Sequence, residues 1–371
     1  TGTGTSLTTD PSQSVDPSIS DGTTGSAEDT TKSPSGTTTK TPGSSTSKTG
    51  SNSVRQPDNP IVPGASLVDS QGYRVGARYG VYSIFRQPIY NNSGPQRAKK
   101  SDFIPVVGYV DKNNKIIDTL FDTIKFQPSP NFLYNWSSEH NGMKLLKESD
   151  WEKYIGSQFS SGYNVDALDQ AVAEVKAALN MPDYKVSVIL PVFFPVYGQT
   201  SFGVVDGKNL NFNNLEDQKA AIKWMVDEQK RRFEAKKYKN LRLAGFWWFK
   251  EDIHLWDYEE PRLKFFTDYV RSLGTAKEPC VSLWTTWFNA QGQEKGNAVG
   301  FDLITYQPNF YLAKTFSSGG FRQNKLSAFT ISAQRARERH GGIDIALGSF
   351  DEESMTPLKR YYLQGIKLGY M

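Results

Sequence analysis

Cysteine and histidine are nearly missing from this chain: one Cys and three His in 371 residues. A lone Cys280 excludes an internal disulfide, and its position in the run Cys280-Val-Ser-Leu-Trp284 predicts burial. His140, His254 and His340 form no Cys/His cluster, so no zinc site, metal or cofactor is expected. No stretch of about 18 apolar residues occurs, so no membrane-spanning helix is expected. A Gly-rich phosphate loop of the dinucleotide or nucleotide kind is also missing. The net charge is only +4. Lys230-Arg-Arg232 and Lys236-Lys237 lie in a polar helical pattern without interleaved aromatics, which reads as a solvated face and not a nucleic-acid surface.

What is present divides into two unequal parts. Residues 1–60 are almost wholly Ser, Thr, Gly, Pro, Asp and Lys. Such a segment buries too little apolar surface to offset its ordering entropy, which predicts a disordered linker or stalk. The Ser/Thr/Pro bias suits an extracellular linker and carries the expectation of a secreted or cell-surface protein; an inert spacer is the plainer reading. The chain opens inside this segment without a signal peptide, as a mature or trimmed fragment would. Residues 61–371 are rich in aromatics and long enough for one large core, expected to be a monomer.

Within that part, apolar β-branched runs alternate with amphipathic stretches. Strand-like runs are Arg78–Phe85, Phe103–Val110, Phe121–Phe126, Lys185–Val192, Leu241–Phe249, Cys280–Trp287, Ala298–Tyr306 and Ile343–Leu347. Helical periodicity covers Ser149–Leu179, Asp217–Lys236, Arg262–Leu273, Leu326–Arg339 and Pro357–Leu368. Strands alternating with helices predict a parallel α/β fold. Without a phosphate loop, the expectation is a (β/α)8 TIM-like barrel. Phe103–Phe126 counts as one strand region, giving seven strands. The eighth would lie past Met371 or come from an N-terminal segment, leaving the barrel open to being incomplete.

The chemistry concentrates at strand ends. Leu241–Asp252 reads as the fourth strand, ending in Trp247, Trp248, Glu251 and Asp252. In such a barrel the carboxyl-terminal rim carries catalysis. A semi-apolar pocket walled by Trp247 and Trp248 would raise a carboxyl pKa by desolvation. In a strand's alternation Trp247, Phe249 and Glu251 share one face, which favours Glu251 as the functional acid. Asp252 suits a solvated loop or helix cap. A partner carboxylate is required at about 5 Å in a retaining glycosidase and about 6.5–9.5 Å in an inverting one. Asp344 is the better-placed partner and Asp351 the loop alternative. Asp302, early in a strand, reads equally as a catalytic or a structural buried acid. Trp284, Trp287 and Asn289 end one strand, and Tyr306, Gln307 and Asn309 another; these are candidates for stacking on and hydrogen bonding to sugar rings. For each aromatic, packing in the core is the competing reading. Glu139-His140 lies in a loop with no assigned role.

Several motifs occur together in this order: Gly108-Tyr-Val-Asp111, Leu120-Phe-Asp122, Ile189-Leu-Pro191, Gly245-Phe-Trp-Trp-Phe-Lys-Glu-Asp252, Gly300-Phe-Asp302 with Tyr306-Gln-Pro-Asn309, and Gly365-Ile-Lys-Leu-Gly-Tyr370. The set resembles the domain-of-unknown-function family 4855, a group of mostly secreted bacterial proteins akin to TIM-barrel glycoside hydrolases. The resemblance implies a carbohydrate-active barrel, with Glu251 matching the strand-end acid and Asp302 and Tyr306–Asn309 the second motif. Where the family's seventh strand is expected to carry Glu-x-Glu, this chain has Asp344 and Ala346. The expected function is therefore a glycoside hydrolase acting on a carbohydrate polymer. The alternative is a catalytically inactive glycan-binding or cell-surface protein.

Overall fold

A computed structural model describes residues 81–84, 97–128, 145–254, 258–310, 326–345 and 352–368. The segment 1–60, Glu139-His140 and Asp351 lie outside the described residues. The chain divides into two units, Thr1–Arg55 and Gln56–Met371; every described residue belongs to the second.

The elements follow one another as β1 (Val81–Ile84), α1 (Lys100–Val107), β2 (Gly108–Val110), β3 (Ile116–Thr119) and β4 (Thr123–Phe126), then α2 (Glu148–Gln158), α3 (Val165–Leu179) and β5 (Val186–Val192). After a short hairpin of β6 (Val204–Val205) and β7 (Lys208–Asn209) come α4 (Leu215–Lys236), β8 (Leu241–Trp248), α5 (Glu259–Ser272), β9 (Val281–Trp287) and β10 (Leu303–Gln307). The described chain closes with α6 (Leu326–Glu338), β11 (Gly342–Ile343) and α7 (Glu352–Leu368).

Seven strands form one parallel sheet in chain order, β1-β4-β5-β8-β9-β10-β11, with β11 contributing two residues. All seven residues of β5 are buried, as a strand covered on both faces requires. The expected (β/α)8 barrel is not formed among the described residues. Among the described residues β1 pairs with β4 and β11 with β10, and the two end strands do not pair with each other. The sheet is a curled half-barrel. Closure needs strand number and stagger to agree around a full circle. Apolar runs in a sequence report that a strand is buried, not whether the first strand meets the last.

Three boundaries also differ from expectation. Phe103–Val110 is helical up to Val107. Its buried residues Phe103, Val106 and Val107 follow i, i+3, i+4 spacing, which the continuous apolar run disguises. Ser149–Leu179 is two helices. Asn164, at φ 52°, separates them, accepting from Ala98 N at 3.0 Å and donating to Ser157 O at 2.8 Å. The run from Ala298 enters the sheet only at Leu303, after a turn through Gly300 at φ 94°.

Helix α4 starts where the Asn214 side chain accepts from Glu216 N at 2.8 Å, and Gln229 ties it to β5 by donating to Pro191 O at 2.9 Å. Helix α5 packs Phe266 against Trp248 at 5.2 Å. Gly245 is required by close packing: a Cβ there would lie 2.0 Å from Val281 O on β9. Phe310, Phe329 and Tyr361 form a separate small core that joins α6 and α7 to the end of β10.

Candidate functional site

The carboxyl-terminal end of β8 is fixed by two indole hydrogen bonds. Trp247 Nε1 donates to Phe126 O at the end of β4, at 2.8 Å. Trp284 Nε1 donates to Lys250 O, also at 2.8 Å, and so holds the backbone beside Glu251. The Trp247 and Phe249 rings touch at 5.1 Å on one side of the strand, while Trp248 packs on the other against α5.

Beneath this strand end lies a buried charge network. Glu259, at the start of α5, accepts from Lys250 Nζ at 2.9 Å, from Arg262 Nη2 at 3.0 Å and from His254 N at 2.9 Å. Arg262 also donates to Pro195 O at 2.7 Å and Gln218 Oε1 at 3.0 Å. The Lys250, Glu259 and Arg262 side chains are 6%, 0% and 0% exposed. Asp252 is bound into the rim of this network, 3.0 Å from His254 Nε2 and 3.6 Å from Lys250 Nζ. Glu251 alone of this run of charges is exposed.

Glu251 faces a second group of polar residues. Lys125, buried on β4, donates to Thr285 Oγ1 at 3.0 Å and lies 4.6 Å above the Trp247 ring. Thr305 on β10 donates to the same Thr285 oxygen at 2.9 Å. Asp344, just past β11, is half-buried; its backbone N–H bonds Tyr306 O at 2.9 Å, and Gln307 Nε2 lies 3.4 Å from its carboxylate. Burial raises the Glu251 pKa to about 7; the Lys125 cation pulls it back in part, and the Asp344 and Asp252 carboxylates push it further up. The carboxyl is thus reachable by solvent and yet closely surrounded by protein. Lys125 is shifted the other way, below the usual amine range, by burial against the opposing pull of Asp344 and Glu251.

Glu251 and Asp344 are therefore brought within electrostatic reach of each other at one end of the sheet. Asp302 is not. It lies at the opposite end of the parallel strands, where it accepts from Ser282 N at 2.9 Å, Ser282 Oγ at 2.8 Å and Arg271 Nη2 at 3.0 Å. Those bonds make it a clamp between β9, β10 and α5. Trp248, Trp284 and Tyr306 are fully buried in the core, Trp284 stacked on Phe301 at 5.5 Å. Trp247 is buried beneath Lys125. Trp287 is half-buried at the end of β9, edge-on to Phe288, and Asn289 is exposed just beyond it. Gln307 reaches Asp344, and Asn309 is half-buried with φ 51°.

Lys125 and the Thr285–Thr305 pair escaped the sequence reading. A signal existed: a lysine inside the run Thr123-Ile-Lys-Phe126 must bury its charge or shed it, and strand interiors seldom bear that cost without a partner. The arrangement can supply a carboxylic acid about half protonated near neutral pH, with the Asp344 side chain within electrostatic reach. That is the pairing general acid–base chemistry requires. Among the described residues no three His, Cys, Asp or Glu side chains converge to hold a metal, and no helix is long and apolar enough to cross a membrane.

No curated protein matches the chain. Residues 87–349, well over half of its length, match the domain of unknown function DUF4855, a span that includes Glu251, Asp302 and Asp344. The chain belongs to the DUF4855 family.

Proposed function

We propose that this protein is a secreted glycoside hydrolase that cleaves a glycosidic bond in a polysaccharide, with Glu251 as general acid/base and Asp344 as its partner carboxylate. The observation that carries the reading is the raised pKa of Glu251 facing Asp344 at the carboxyl-terminal end of a parallel sheet. Protonated Glu251 gives its proton to the bridging oxygen as the carbon–oxygen bond breaks, and ionised Asp344 stabilises the developing oxocarbenium charge or attacks it. Water supplies the hydroxyl of the new reducing end, and Glu251 regains its proton. Lys125 supports the reading as a buried cation that interacts with both the Glu251 and the Asp344 side chains. The Ser/Thr-rich character of residues 1–60 supports secretion or attachment at the cell surface.

The test is hydrolysis of a panel of polysaccharides, read as released reducing ends. Glu251→Gln is expected to abolish release while the protein stays folded; full activity in that variant would remove Glu251 from the mechanism. A second reading, glycan binding without turnover, is motivated by Ala346 where a second acid is expected. Isothermal titration beside the reducing-end assay separates the two, binding without release favouring the second.

A further inference from the structure

Two exposed tyrosines, Tyr197 and Tyr258, lie in loops tied to the buried charge network, and neither has a role in the chemistry above. Tyr197 is 44% exposed and Tyr258 47%, and their rings meet at 6.0 Å with an interplanar angle of 67°. Scattered exposed aromatics are ordinary. This pair differs in how it is held. Tyr197 occupies the first central position of a turn closed by Gln199 N to Val196 O at 3.2 Å, with Gly198 following at φ 89°. That turn directs the ring outward. Tyr258 caps α5 at φ 63° and ψ 21°, a left-handed conformation that bulky residues rarely adopt and that strains the backbone.

Both segments are anchored by the same buried ions. Tyr258 immediately precedes Glu259, which binds Lys250, the neighbour of Glu251. Tyr197 is two residues past Pro195, whose carbonyl accepts from Arg262. Backbone strain and exposed aromatic area are thus held in place by a rigid base on the rim that carries the candidate acid. We propose that Tyr197 and Tyr258 form an aromatic platform for the apolar C–H face of a pyranose ring, a carbohydrate subsite next to Glu251. The proposal rests on the reading of the ligand as a glycan, and not on turnover.

The test is isothermal titration of the full chain with hexaoses of glucose, N-acetylglucosamine, xylose and galacturonic acid, for the wild type, Tyr197→Ala, Tyr258→Gly and the double variant. Affinity is expected to fall on the order of tenfold for each single change, the equivalent of one lost stacking contact. Tyr258→Gly also relaxes the left-handed backbone, so its melting temperature is expected to hold or rise while binding weakens. A ring kept only for packing would give lower stability and unchanged binding, which overturns the proposal. Wild-type protein that binds none of the four sugars overturns it as well. Loss of binding in the double variant, measured in a Glu251→Gln background that releases no reducing ends, upholds the platform independently of whether the protein is an enzyme.

Discussion

Glu259 is the residue on which the strand end depends most. Its carboxylate, fully buried, meets two buried cations at 2.9 and 3.0 Å and one backbone N–H at 2.9 Å. Glu259→Gln keeps the shape and one carbonyl acceptor but removes a full negative charge bonded to both Lys250 and Arg262. Breaking a buried ion pair from one side costs about 3–5 kcal/mol, because the remaining charge stays desolvated. The amide retains part of the hydrogen bonding, so a loss of about 3 kcal/mol is expected. For a domain of this size each kcal/mol corresponds to roughly 2–4 °C in melting temperature, giving a fall of roughly 6–12 °C. Differential scanning calorimetry at pH 7, with urea unfolding to check that the m-value is unchanged, measures it. A fall below about 2 °C would show that water, not Glu259, compensates the two cations, and the rigid base beneath Glu251 and the tyrosines would be lost with it.

The other predictions concern the two ends of the sheet. Asp302→Asn weakens the clamp to Ser282 and Arg271 and is expected to cost about 2 kcal/mol of stability, while turnover per folded molecule stays at the wild-type level; a loss of turnover without a loss of stability would return Asp302 to the catalytic site. Glu251→Gln carries a pH signature. The folded-state pKa of about 7 lies above the ordinary 4.5, so between those values the folded protein holds more protons than the unfolded chain. Stability is therefore fully present below about pH 4.5 and falls as pH rises towards 7. The variant should therefore be stabilised relative to the wild type at pH 8 and unchanged at pH 4. Equal gains at both pH values would show that the side chain acts through packing alone.

How far the sequence could be read follows from what each signal measures. The runs Lys185–Val192, Leu241–Phe249 and Cys280–Trp287 are continuously apolar because β5, β8 and β9 are covered on both faces, and their parallel order was legible for that reason. The same signal failed at Phe103–Val110, where an unbroken apolar run hides helical spacing, and at the sheet edges, where closure depends on contacts between distant segments. At the site, period-two alternation was enough to separate Glu251 from Asp252 and Lys250. It could not reveal that Lys125 reaches across the sheet to Thr285, 160 residues further along the chain, nor that Glu259 gathers two cations beneath the strand end. Asp302, early in its strand, reads in the sequence equally as catalytic or structural; its bonds to Ser282 and Arg271 at the end of the sheet opposite Glu251 fit the structural reading.

The central claim is that Glu251 is an acid whose carboxyl titrates near neutral pH. It is tested most directly by a carbon-13 NMR titration of glutamate side-chain carboxyls, with the Glu251 signal assigned by its absence in Glu251→Gln. A midpoint near 7 is predicted; a midpoint near the ordinary glutamate value of about 4.3 would contradict the account.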